Sequence, residues 1–132
     1  MSQFHLPIRV YIEDTDAGGI VYYVNYLKYM ERARTEWMRS FGFGKAAVLG
    51  EDKLFVVHSA NIQYLRPALL DDQLTVSAQM GKLARSYLVF EQTVERQGEI
   101  LCRGEVKVAC VERKSMKPVA IPPEIRDAIT TA

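Results

Sequence analysis

At 132 residues, 48% of them hydrophobic and 25% charged, the chain has the length of one domain, expected to run from 1 to 132, and enough apolar side chain for a core. Its 17 Lys and Arg against 16 Asp and Glu leave a formal net charge of +1, which argues against a nucleic-acid partner held by bulk counterion release. No apolar run approaches the ~18 residues of a membrane span and the start MSQFHLPIRV lacks the regions of a signal peptide, so a cytoplasmic protein with no integral membrane segment is expected.

Residues 4–12, FHLPIRVYI, have strand composition, and Pro7 marks that strand as an edge. Glu13-Asp14-Thr15-Asp16-Ala17-Gly18-Gly19 then reads as an acidic loop whose paired glycines open backbone angles closed to other residues. From Tyr23 to Phe41, apolar side chains recur at Tyr26, Met30, Ala33, Trp37 and Phe41, with charged residues between them. This spacing predicts one amphipathic helix of about five turns. Gly42 and Gly44 end it, and a further turn of helix is expected before Gly50.

The period then changes. Leu74, Val76, Ala78 and Met80 alternate with Thr75, Ser77 and Gln79, the pattern of a half-buried strand. Residues 99–111 repeat it, with Ile100, Cys102, Val106, Val108 and Cys110 opposite Arg103, Glu105 and Lys107. Segments 54–65 and 85–96 are strand-like with blurrier alternation, and Arg66-Pro67, Asp71-Asp72, Gly81 and Gln97-Gly98 are the turn signals between the four. Pro122-Pro123 opens a short terminal helix. The expected architecture is α+β: a strand, a long helix, then four strands of a meander, with the helix packed on one face of an antiparallel sheet. Cys102 and Cys110 would lie about 26 Å apart on one strand at ~3.3 Å per residue, too far for a disulfide, and are expected to be reduced.

The densest cluster of unusual residues runs from Glu13 to Tyr26 and sets carboxylates and glycines just upstream of a helix N-terminus. A helix start offers unpaired N–H groups and partial positive charge, which can polarise a carbonyl oxygen, and a carboxylate beside it would complete a hydrolytic site. Asp14 or Asp16 could equally do no more than cap a turn.

Asp14-Thr15-Asp16-Ala17-Gly18-Gly19-Ile20-Val21-Tyr22-Tyr23, then Asn25-Tyr26-Leu27 and Glu31-Arg32-Ala33-Arg34, resembles the 4-hydroxybenzoyl-CoA thioesterase family, and more closely its YbgC-type acyl-CoA thioesterase branch. Tyr64-Leu65-Arg66-Pro67-Ala68 and Asp71-Asp72-Gln73-Leu74 extend the similarity over nearly the whole chain. The resemblance implies the hotdog fold, an antiparallel sheet wrapped around one long helix, with dimers formed by joining sheets edge to edge. It implies an acyl-CoA thioester hydrolase in which Asp16, the second acid of Asp-x-Asp, is general base or nucleophile, and in which the backbone amide at Tyr23 polarises the thioester carbonyl. Many YbgC-type members have His where this chain has Tyr23, so a backbone N–H rather than an imidazole is on offer there.

So spare a site suits the chemistry. A thiol leaving group has a pKa of roughly 8.5, by analogy with cysteine, and departs with little protonation. One carboxylate and one or two oxyanion donors can suffice. No separate cofactor is expected, CoA being part of the substrate, but its phosphates need cations, for which Lys82, Arg85 and Arg66 are the candidates. His5 and His58 lack paired metal-ligand spacing, so no metal site is expected, and no Gly-x-Ser-x-Gly elbow occurs. A homodimer or homotetramer is the expected assembly, because so short a chain needs a second subunit to complete its groove. The rival from another class is a non-catalytic module that binds an acyl thioester or acyl carrier protein. A dehydratase of the same fold ranks lower, since its His-containing loop is absent.

Overall fold

The computed structural model describes residues 3–43 and 52–131. In chain order these form strand β1 (Phe4–Arg9), one turn of 3-10 helix at Ile12–Asp14, helix α1 (Asn25–Arg39), strands β2 (Lys53–Tyr64), β3 (Gln73–Leu83), β4 (Tyr87–Arg96) and β5 (Glu99–Glu112), and helix α2 (Pro123–Thr130). The further turn expected before Gly50 lies outside the described residues. Strand β1 stops short of the 4–12 expected, and the chain turns into the 3-10 helix instead.

The five strands form one antiparallel sheet in the order β1-β3-β4-β5-β2. Strands β3, β4 and β5 make the expected meander, but β2 does not join it beside β3. It pairs with β5 at the opposite edge, Tyr64 facing Cys102 and Leu54 facing Val111. Helix α1 intervenes between β1 and β2, and the chain re-enters the sheet at the edge opposite β1. Residues 65–72 then cross back over one end of the sheet, with the Leu65 and Arg66 N–H groups donating to the Leu101 carbonyl and the Val10 N–H donating to the Asp72 carbonyl. Gly81 is likewise no turn. It is a bulge within β3, where the register with β4 slips between Met80 and Lys82. The reversal comes at residues 84–86, closed by the Ala84 N–H donating to Tyr87 O at 2.9 Å.

The apolar stripe of α1, Tyr26, Met30, Ala33 and Trp37, is buried as the period required, and Tyr29 and Met38 join it. Leu74, Val76, Ala78 and Met80 of β3 and Leu88, Phe90 and Val94 of β4 belong to the same core. At Gly104 of β5 the space above the sheet is filled by its neighbours, since a Cβ there would lie 2.5 Å from Ile62 Cδ1 of β2 and 3.1 Å from Met30 Sδ of α1. Beyond Ser40 the helix ends with Gly42 at φ +95°, an angle that favours glycine. Gln92, 2% exposed, is a polar residue inside this core. Its amide nitrogen donates to the Met30 and Ser77 carbonyls, and its oxygen accepts from Arg34 Nη1 at 2.9 Å. No described helix is long and apolar enough to cross a membrane.

Candidate functional site

The Asp-x-Asp segment folds into a small hairpin between the 3-10 turn and α1. Thr15 bridges Val21, Asp16 N–H donates to Ile20 O at 2.9 Å, and Gly19 N–H donates to Asp16 O at 3.0 Å with Gly19 at φ +78°. The two acids have different work. Asp14 Oδ2 accepts from Tyr11 N–H at 2.9 Å, while the Asp14 carbonyl accepts from Tyr22 N–H and from the Asn25 side chain. Asp14 therefore ties the hairpin to the start of the helix. Burial, followed by the neighbouring Asp14 carboxylate, pushes the Tyr29 phenol above its ordinary range and keeps it protonated.

Asp16 sits at the exposed tip, where Oδ1 accepts from Gly18 N–H at 2.9 Å. Among the described residues Oδ2 has no hydrogen-bond partner, so one carboxylate oxygen of this exposed residue is fixed and the other is unengaged. The first turn of α1 supplies the complementary charge. Asn25 N–H donates to Tyr22 O, Tyr26 N–H to Tyr23 O and Leu27 N–H to Val24 O, whereas the Tyr23 and Val24 N–H groups have no acceptor among the described residues. These two amides are the unsatisfied donors that a helix start provides. No side chain caps them, since the N-cap position is Val24.

The hairpin rests on the segment that crosses the end of the sheet. Val21 N–H donates to Ala68 O, Ile20 bridges Leu69, and Ala68 N–H donates to the Tyr26 hydroxyl at 2.9 Å. Tyr64, at the end of β2, stands edge-on to Tyr23 at 5.9 Å between ring centroids and also packs on Tyr26 at 5.6 Å. An apolar groove of about 420 Å³ runs along α1 between Val24, Leu27 and Lys28 on the helix and Val57, Ala60 and Val106 on the sheet. Farther along, Met38, Phe55 and Phe90 line a second hollow that shares Glu31, Arg34 and Val57 with the first.

The three candidate cations are not brought together. Arg66 lies at the hairpin end of the sheet, its Nε 3.1 Å from Glu99 Oε2. Lys82 and Arg85 lie at the opposite end, about 30 Å away along strands that rise ~3.3 Å per residue. There Lys82 Nζ and Lys107 Nζ stand 5.3 and 4.2 Å from the Tyr87 ring centroid. Lys107 is thus a further cation at that end of the sheet, one that the sequence did not mark out. For Lys107 a signal existed only in the strand register, where Val89 lies between Lys82 and Lys107. Cys102 and Cys110 are free and buried, and burial pushes the Cys102 thiol up to about 12.

The family model of the Thioesterase superfamily matches residues 18–103. The chain belongs to that superfamily. The matched span opens at Gly18, just past Asp16, and takes in α1 and the crossing segment as well as β2 to β4. The superfamily member acyl-CoA thioesterase YbgC of Haemophilus influenzae is 45% identical over 126 residues, 95% of this chain and 93% of that one. The acyl-CoA thioester hydrolase YbgC of Escherichia coli is 42% identical over 123 residues, 92% of each chain. Among solved structures, a probable thioesterase from Bartonella henselae superposes with a TM-score of 0.84 at 32% identity, over 92% of this chain and 100% of that one. The strand order and the enclosed helix are those of the hotdog thioesterases, as the resemblance implied.

Proposed function

We propose that this chain hydrolyses acyl-CoA thioesters to a free acid and CoA, with Asp16 as general base and the Tyr23 and Val24 amides as oxyanion donors. The observation that carries the reading is a carboxylate with one unengaged oxygen on the hairpin that leads directly into a helix start with two unengaged N–H groups. The acyl group would lie in the groove beside α1, whose lining begins at Val24, one of the two proposed oxyanion donors. Water attacks the carbonyl carbon and gives its proton to Asp16, and the carbonyl oxygen takes up negative charge toward the two amides. The tetrahedral intermediate collapses, the C–S bond breaks, and the thiolate leaves as CoA and takes up the proton that Asp16 received.

The free edge of β2 supports assembly as a pair. Strand β2 has 12 residues and carries Val57 and Tyr64 exposed, whereas the other edge, β1, has six residues with Pro7 among them. Antiparallel pairing of two β2 edges about a two-fold axis brings the Lys82 and Arg85 end of one copy to the Asp16 end of the other. The cations far from Asp16 within one chain would then serve the CoA phosphates of the partner's site, and Arg66 its own. An acyl carrier protein, which presents the same thioester, is a further candidate partner.

The test is a thiol-release assay on the wild-type protein with a panel of short, long and aromatic acyl-CoAs. Steady release with at least one member is expected. Tight binding without release would instead mark the chain as a binding module. With Lys82→Glu and Arg85→Glu combined, KM should rise by about tenfold or more, since each charge-assisted contact contributes about 1.5–3 kcal/mol, with kcat little changed. The defect should narrow as salt is added, because exposed charges are screened over about 8 Å at physiological ionic strength. A KM unchanged at low salt would rule these cations out.

A further inference from the structure

We infer that Asp72 and Arg96 are positioning residues for Asp16, an inference that rests on the reading of Asp16 as the base. Arg96 reaches from the end of β4 to the crossing segment. Its Nη1 donates to Asp72 Oδ2 at 2.7 Å and to the Pro67 carbonyl at 3.4 Å, and its Nη2 donates to Glu99 Oε1 at 3.1 Å. The same Asp72 oxygen accepts from Leu69 N–H at 2.8 Å. Leu69 bridges Ile20, Leu70 N–H donates to Gly19 O at 3.2 Å, and Asp16 N–H donates to Ile20 O at 2.9 Å. Hydrogen bonds on either side of the Ile20–Leu69 pair, joined through the backbone of those two segments, thus link the Arg96 guanidinium to the backbone of Asp16. Asp71, at φ +70°, gives the crossing segment its turn just before this anchor, and its N–H donates to Val10 O.

The ion pair does little for global stability. The side chains of Arg96 and Asp72 keep 26% and 20% of their exposure, and pairs open to water contribute about 0–1 kcal/mol. Its effect falls on geometry instead. The tip of the hairpin is exposed, so the crossing segment, together with the Asp14 contacts to the helix start, fixes the height of Asp16 relative to the Tyr23 amide. A displacement of about 1 Å in a catalytic group can cost about 10²-fold in rate.

The experiment compares Asp72→Ala, which removes both the ion pair and the Leu69 acceptor, with Asp72→Asn, which can keep the acceptor. Steady-state thiol release and thermal unfolding are measured on both, on the wild type, on Asp16→Asn and on Thr93→Val. The last breaks the half-buried Ser77–Thr93 hydroxyl pair away from the hairpin and reports what a stability loss alone does. Asp72→Ala should lose about tenfold or more in kcat with KM nearly unchanged and only a small shift in melting temperature, and Asp72→Asn should fall between it and the wild type. The inference is overturned if kcat of Asp72→Ala matches wild type, if the loss lies in KM, or if it only follows the folded fraction as in Thr93→Val. Turnover surviving in Asp16→Asn would instead strike at the functional reading beneath it.

Discussion

Asp16→Asn is expected to lower kcat by about 10²–10⁴, the contribution of a positioned general base, with KM for acyl-CoA nearly unchanged. Asn keeps the shape of the side chain and an oxygen that can accept from Gly18 N–H, so the hairpin should persist. It takes away only the capacity to accept a proton from water. Steady-state thiol release with the best acyl-CoA of the panel, together with a direct measurement of acyl-CoA binding, checks both halves of the statement. A variant retaining more than about a tenth of the wild-type kcat would remove Asp16 from the mechanism. A variant that lost binding along with turnover would point to a hairpin that shapes the pocket rather than one that moves protons.

Trp37→Ala should have the largest effect on stability, about 3–5 kcal/mol, the usual cost of deleting a large aromatic side chain from a core. Trp37 is 4% exposed and stands edge-on to both Phe41 at 4.9 Å and Phe90 at 5.2 Å. Its removal therefore sacrifices two aromatic pairs, each contributing about 0.5–1.5 kcal/mol beyond burial, as well as opening a cavity. For a chain of this length the melting temperature should fall by roughly 10–20 °C. Trp37 pins the last turns of α1, and the site is built on the first, so a sample still folded at low temperature should keep a kcat close to wild type. Thermal unfolding followed by circular dichroism, with kinetics well below the midpoint, tests the two parts separately. A drop in melting temperature of less than about 4 °C would mean that the C-terminal turns of α1 are not a main support of the core.

The sequence reveals which residues face inward far better than it reveals which strands are neighbours. Alternation at Leu74, Val76, Ala78 and Met80 and the helical spacing of Tyr26, Met30, Ala33 and Trp37 follow directly from the geometry of a strand and a helix, and all eight are buried. That β2 pairs with β5 and not β3 follows from where a helix deposits the next segment, which no local pattern encodes. Gly81 illustrates the same limit, since a glycine that permits a bulge and one that permits a turn look alike in sequence. At the candidate site, Asp16 and the amide of Tyr23 were legible as candidates because one contiguous stretch holds them both. The supports were not. Tyr26 meets Ala68 across 42 positions and Arg96 meets Asp72 across 24, separations that only the folded chain closes.

The two borders of the sheet differ in kind, and this bears on how large an assembly can become. A ribbon that grows by adding strands needs an accepting border on every unit after each addition. Here Pro7 deprives β1 of a backbone donor in a strand of six residues, whereas β2 offers 12 residues without proline. Once two copies have met along β2, what remains outward on both sides is the proline-bearing border. Association by the proposed route would end itself at two, and the unequal borders would act as a stop against fibrous polymerisation.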